Sequence, residues 1–195
     1  NTKNGLSNNF VYCLYEDQKG SLWVGTEGGN LDRFKDGKFF KFVSESLSNS
    51  RLKVIYENRQ GNLWIGTSDG GLNRLNREQE TFERYLPAPG LNASLSSSQV
   101  TALTPDQDGG LWVGTTEGLD YYNPFTRRFS HYRHDPDDLT TLSSNKVTTL
   151  FQDRSGILWV GTEDGGLNRF TPSTRAFDRF LPDSPDDQSI SSQFI

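Results

Sequence analysis

Methionine is absent from this sequence and cysteine occurs once, as Cys13. A lone cysteine excludes an intramolecular disulfide, and with it any fold that depends on covalent cross-links. No run of about 18 apolar residues exists, so nothing reads as a membrane-spanning helix. No segment sustains a 3.6-residue apolar period either, which predicts a helix content near zero. The 20 basic residues are scattered and outnumbered by 25 acidic ones, for a net charge of −5, an arrangement unsuited to a nucleic-acid partner. Without a methionine at position 1, the chain reads as a processed form or a piece of a longer protein. Any leader or anchor would then lie outside it.

What the chain has in quantity is glycine, aromatics and repetition. The phrase SGILWVGTEDGGLNRF, residues 155–170, echoes GSLWVGTEGGNLDRF, GNLWIGTSDGGLNRL and GGLWVGTTEGLDYY. Its tryptophans, Trp23, Trp64, Trp112 and Trp159, follow at steps of 41, 48 and 47 residues. Repetition at that period marks a solenoid, propeller or array, and a phosphate loop or catalytic loop would not occur four times. Each unit opens on a Leu/Ile-Ser pair (Leu6, Leu47, Leu95, Leu142, and Ile190 near the end). The tryptophan lies 17 residues after each of the first four openers, so strand and turn geometry between them is fixed. Length differences fall in the turns, as a β-repeat tolerates.

Four short strands fit each unit. Strand A is FVYCLYE, LKVIYE, VTALT or VTTLFQ, rich in β-branched and aromatic residues. A turn follows with Asp or Asn and, three residues on, a glycine suited to positive φ: Asp17/Gly20, Asn58/Gly61, Asp106/Gly109 and Asp153/Gly156. Strand B is LW[VI]GT, strand C is GLNRF or its variants, and strand D carries two aromatics three apart. Four antiparallel strands per repeat describe a propeller blade, with the strand B tryptophan packed between neighbouring sheets. The expected blades are approximately 6–42, 47–85, 95–132 and 142–180, with 190–195 the start of another.

These residues resemble the two-component regulator propeller repeat: an acidic turn, G-x-LW-[VI]-GT, GGL-[ND]-R-[FL] and a closing F-x-x-[YF]. The resemblance covers almost the whole chain and is weakest at GLDYY of unit 3. It implies an all-β sensor propeller outside the cytoplasmic membrane, periplasmic or extracellular, whose parent continues into a membrane segment and a histidine kinase or diguanylate cyclase. Such propellers usually have about seven blades, within the general range of about 4–8. An incomplete segment of a larger propeller is therefore expected. A closed four-bladed ring and two chains forming one ring are the alternatives. Open blade faces would favour self-association.

Chemistry candidates compete with structural readings. His131 and His134 form H-x-x-H, and a metal there would need Asp135, Asp137 or Asp138 to complete its shell; a solvated loop after strand D is the preferred reading. The acidic DPDD and PDSPDD stretches lack calcium-loop spacing. Glu27, Asp69, Glu117 and Glu163 recur just after GT, which points to turn chemistry rather than a glycosidase pair. Arg33, Arg74 and Arg169, with Tyr121 in their place in unit 3, read as stacking or carboxylate-pairing residues. Neither a cofactor, a metal nor a catalytic residue is expected.

Positions where the units differ are free for recognition. Four residues after each opener stand Phe10, Arg51, Gln99 and Lys146, and two further along stand Tyr12, Lys53, Thr101 and Thr148. Strand A is normally innermost in a propeller, so these side chains are expected at the axial entrance, with Tyr121 and Tyr122 as a weaker addition. Their cations, amides and aromatics suit a polar or anionic small molecule such as an oligosaccharide. The function expected is non-enzymatic ligand sensing. A propeller enzyme similar to streptogramin lyases and a protein-interaction scaffold are the rivals.

Overall fold

The computed structural model describes residues 5–42, 47, 51–91 and 93–181. The expected start of a further blade at 190–195 lies outside these residues. The described residues form sixteen strands and no α-helix. Blade 1 comprises β1 (Val11–Glu16), β2 (Leu22–Thr26), β3 (Leu31–Lys35) and β4 (Lys38–Phe42). Blade 2 comprises β5 (Leu52–Glu57), β6 (Leu63–Thr67), β7 (Leu72–Asn76) and β8 (Thr81–Tyr85). Blade 3 has β9 (Val100–Pro105), β10 (Leu111–Thr115), β11 (Gly118–Asn123) and β12 (Arg128–Tyr132). Blade 4 has β13 (Val147–Gln152), β14 (Leu158–Thr162), β15 (Leu167–Thr171) and β16 (Ala176–Phe180). Every blade is a sheet whose strands pair in chain order, β1-β2-β3-β4 and likewise in the others. Two compact units result: Asn1–Pro87 with Ser98–Val100, holding blades 1 and 2, and the remainder, holding blades 3 and 4.

In the first unit Trp23 and Leu31 of blade 1 are fully buried against Leu52, Leu63 and Ile65 of blade 2, with the opener Leu47 in the same cluster. The second unit repeats the arrangement: Trp112 and Leu119 of blade 3 meet the opener Leu142, Val147, Leu158 and Val160 of blade 4. Trp23 and Trp112 thus each serve the next blade of their own unit. Trp159, from the last described blade, is correspondingly only partly buried, and the first opener, Leu6, is partly exposed. The GT glycines Gly25 and Gly114 sit at the same seams. A Cβ on Gly25 would lie 2.8 Å from Leu52 Cβ, and one on Gly114 would lie 2.7 Å from Val147 Cγ1. Only glycine admits strand A of the following blade at that separation.

The turn between strands A and B is built as the sequence predicts. Gly20, Gly61, Gly109 and Gly156 all have positive φ. The acidic residue does more than make the turn. Asp17 Oδ1 accepts from the N–H groups of Lys19 (3.0 Å) and Ser21 (2.8 Å), while its Oδ2 accepts from Trp23 Nε1 (2.8 Å). Asp153 does the same for Ser155, Ile157 and Trp159. The carboxylate therefore satisfies the polar edge of the packing tryptophan.

The opener is latched by strand C. Ser7 donates from N and Oγ to the buried Asp32, at 2.8 and 2.7 Å, Ser96 N donates to Asp120 (2.7 Å), and Ser143 N donates to Asn168 (2.9 Å). This accounts for both the Leu-Ser opener and the Asp/Asn of strand C. The threonine of GT closes the next turn, its hydroxyl donating to the carbonyl of Asn30, Gly71, Gly118 or Gly166.

Burial pushes the Asp17 carboxyl up, but hydrogen bonds from Trp23, Ser21, Arg77 and Lys19 outweigh it and hold the group below the usual carboxylate range. A depressed folded pKa stabilises fully above the unfolded value, near pH 4 for Asp, and that contribution vanishes as pH falls through the folded value. Asp17→Asn is therefore expected to lower the urea midpoint at pH 7 and to flatten its decline below about pH 4. Urea unfolding of both proteins across that pH range checks it.

Candidate functional site

Strand A meets strand B with a register shift in three blades: between Val11 and Cys13, Leu52 and Val54, and Val147 and Thr149. The extra residues at these bulges are Tyr12, Lys53 and Thr148. A bulge leaves one residue out of the ladder and re-aims its side chain, and bulges favour the neighbourhood of binding sites. The position before each strand is anchored by its backbone. The carbonyls of Phe10, Arg51 and Lys146 accept from the N–H of Glu27 (3.0 Å), Ser68 (3.0 Å) and Glu163 (2.9 Å). The main chain there is fixed while the side chain is not required for the fold, which explains why its identity changes from unit to unit.

In the first unit these positions converge. The Tyr12 ring, 39% exposed, has Arg51 Cζ at 5.7 Å and Lys53 Nζ at 5.8 Å from its centroid. Tyr12 Oη donates to Glu27 Oε1 at 3.5 Å, and Arg51 Nε lies 3.6 Å from the same oxygen. Phe10 and Leu14 on the same strand segment are 66% and 61% exposed. The arrangement brings together two cations, one carboxylate and an accessible aromatic face. Its net positive charge and flat ring fit an anionic ligand with an apolar face.

The second unit uses the equivalent positions differently. Lys146 Nζ lies 3.4 Å from Glu163 and 3.8 Å from Asp164, an exposed ion pair. Thr101 Oγ1 donates to Val147 O at 2.7 Å, tying β9 to β13. Gln99, numbered with the first unit, is exposed. Thus Tyr12, Arg51 and Lys53 are assembled into one cluster, with Phe10 exposed beside it on the same strand segment, and Lys146 has its own acidic partners.

Sequence reasoning overlooked Glu27 as a member of the cluster, because an acidic residue after GT has an adequate role in the turn. The signal lies in pairing: the residue after GT hydrogen-bonds the residue four after the opener, so each side chain is presented beside the other.

Other expectations are corrected. His131 belongs to β12 rather than to a loop, and its Nδ1 lies 2.6 Å from the buried Asp120. His134 is held separately, by Leu142 O at 2.7 Å and Asn145 Oδ1 at 2.8 Å. Among the described residues, no group of three or more His, Cys, Asp and Glu is placed to hold a metal ion. Tyr121 and Tyr122 do not join the opener-side positions. Tyr121 pairs across from Trp112 and donates to Asp106 (2.9 Å) at the acidic turn, while Tyr122 is buried against Phe129. The repeated arginines take the two roles expected of them. Arg33 stacks over Trp23, Phe40 and Phe42, and Arg74 and Arg169 pair with Glu83 and Asp178.

Four segments of the chain, residues 5–28, 46–69, 94–117 and 141–164, match the family model described as the two component regulator propeller. Each match runs from the opener through the turn after GT, the part of the blade that carries the latch, the acidic turn and the tryptophan. No curated protein matches the chain. Among solved structures, the extracellular domain of a hybrid two-component system from B. thetaiotaomicron is 28% identical, with a TM-score of 0.79 over 96% of this chain and 26% of its own. The extracellular domain of a one-component system from the same organism is 20% identical, with a TM-score of 0.69 over 99% of this chain and 32% of its own. Virginiamycin B lyase from Staphylococcus aureus is 16% identical, with a TM-score of 0.67 over 91% of this chain and 57% of its own. At these identities the last two show a shared fold alone. The chain spans 26% and 32% of the length of these extracellular domains.

The Tyr12 cluster is exposed and contributes little to folding. Exposed ion pairs are worth about 0–1 kcal/mol. Arg51→Ala and Lys53→Ala are expected to unfold within about 1 kcal/mol of the parent in urea, leaving both variants fit for binding assays.

Proposed function

Since the chain is built from two-component regulator propeller repeats, we propose that it is a ligand-recognising part of a sensor domain lying outside the cytoplasmic membrane. The parent is then a membrane-anchored signalling protein with a histidine kinase or diguanylate cyclase output. The neighbouring extracellular domains support this reading, and the observation that carries it is the bulged Tyr12 flanked by Arg51 and Lys53. Three copies of one backbone position have been given different side chains without cost to the blade, and in one unit those side chains form a cationic platform around an aromatic ring.

The ligand class that fits is an acidic saccharide. The pyranose face stacks on Tyr12, and carboxylate or sulfate groups meet Arg51 and Lys53. Signalling follows if the ligand binds one arrangement of the sensor better than another, shifting the population passed to the membrane-proximal part. The likeness to virginiamycin B lyase is one of fold, and His131 and His134 are engaged by separate partners.

Thermal shift and calorimetry with a panel of neutral and acidic oligosaccharides test the proposal. An acidic member at about 100 times its dissociation constant is expected to stabilise the protein by roughly 2.7 kcal/mol. Arg51→Ala or Lys53→Ala should weaken it about tenfold or more, with neutral analogues unaffected. Absence of any saccharide effect, or binding indifferent to both substitutions, would overturn it.

A further inference from the structure

The acidic-turn end of the blade seam differs between the two units in a way that leaves a vacancy. In the first unit the seam is closed by an arginine from the turn after β7. Arg77 Nη1 lies 2.9 Å from Asp17 Oδ2, Nη2 lies 2.6 Å from Glu57 Oε1, and the guanidinium carbon sits 5.5 Å from the Trp23 ring. Asp17 and Glu57 side chains are almost wholly buried beneath it. This is a complete guanidinium site, occupied from within the chain.

In the second unit the turn carboxylate and the tryptophan persist and the guanidinium does not. Asp106 stands where Asp17 stands in the repeat, Trp112 where Trp23 stands, and Gln152 where Glu57 stands, but Pro172 replaces Arg77. Two further basic positions are also lost: Tyr121 replaces Arg33 and Asp108 replaces Lys19. A cavity of about 280 Å³ opens in this place, lined by Asp106, Asp108, Trp112, Tyr121, Pro172 and Arg175 among others. Asp106 accepts from Tyr121 Oη at 2.9 Å and, at 3.5 Å, from Gln152 Nε2. Trp112 Nε1, which would follow Trp23 in donating to the turn carboxylate, has no acceptor. The contacts that close the first unit's seam are thus undone here, while its carboxylate and indole remain.

We propose that this cavity in the second unit is a binding site for a guanidinium group supplied from outside, the place of Arg77 being taken by an arginine side chain or a small guanidinium compound. Asp106 and Asp108 provide the charge, Gln152 a carbonyl acceptor, and the Trp112 and Tyr121 rings the stacking surface. Arg175, exposed at the rim, offers a contact for a carboxylate or carbonyl of the same ligand. The inference stands apart from the saccharide reading, since it concerns the other unit and the opposite end of the blade.

The test is an NMR titration of the full chain, following the tryptophan indole N–H signals. Probes are N-acetyl-arginine amide, agmatine, a short arginine-containing peptide, and N-acetyl-citrulline amide as the neutral isostere. Saturable shifts of the Trp112 indole with the arginine probes, and none with citrulline, are expected. A response to the peptide but not to agmatine identifies a macromolecular source, and the reverse a small molecule. Pro172→Arg, which restores the internal guanidinium, should weaken binding about tenfold or more, whereas Pro172→Ala should bind as the parent does. Failure of every arginine probe to shift Trp112, equal response to citrulline, or undiminished binding by a folded Pro172→Arg protein would overturn the proposal.

Discussion

Everything in each unit depends on how closely strand A of one blade can approach strand B of the blade before it. A four-stranded sheet this small cannot bury its faces alone. It must lend a large side chain to its neighbour and remove one from the line of contact. The LWVGT strand does both within five residues: the tryptophan covers the next blade's inner strands, and the glycine leaves room for Leu52 or Val147. A buried tryptophan removes about 150–250 Å² from water. In blades 1 and 4 the acidic turn gives the indole N–H its acceptor, and the serine latch holds the opener in place.

This division of labour explains what was legible in the sequence. The blades could be read because spacing, turn glycines and strand composition all point the same way. A constant distance from opener to tryptophan is what a hydrogen-bonded latch across the sheet imposes. The roles of individual polar residues were less legible. Asp17 and Asp153 announce a turn, yet nothing in the sequence says that the second carboxylate oxygen caps a tryptophan six residues on. His131 looked like part of a loop because its partner, Asp120, lies on the adjacent strand, a relation that register alone reveals. Tyr121 was misplaced for a similar reason, since cross-strand pairing takes it to Trp112.

The copies part company at both ends of the seam. At the opener end the backbone is fixed by a hydrogen bond and a bulge, so Phe10, Arg51 and Lys146, or Tyr12, Lys53 and Thr148, can be exchanged freely. In the first unit Glu27 joins Tyr12 and Arg51 there. At the acidic-turn end the copies differ by removal: Arg77 becomes Pro172 and a packed seam becomes a cavity. Residues that build the blades thus recur from unit to unit, and positions whose side chains the blade does not need are those that vary.

Gly25→Ala is the substitution that shows whether the strand B glycine is a seat for the next blade. Gly25 does not have positive φ, so in an unconstrained strand alanine would stabilise by about 0.4–1 kcal/mol through the unfolded chain. If the seat governs the fold, the new methyl meets Leu52 and Cys13, and urea unfolding should show a loss of about 1–3 kcal/mol. A neutral or stabilising result would mean that the seam does not depend on the glycine.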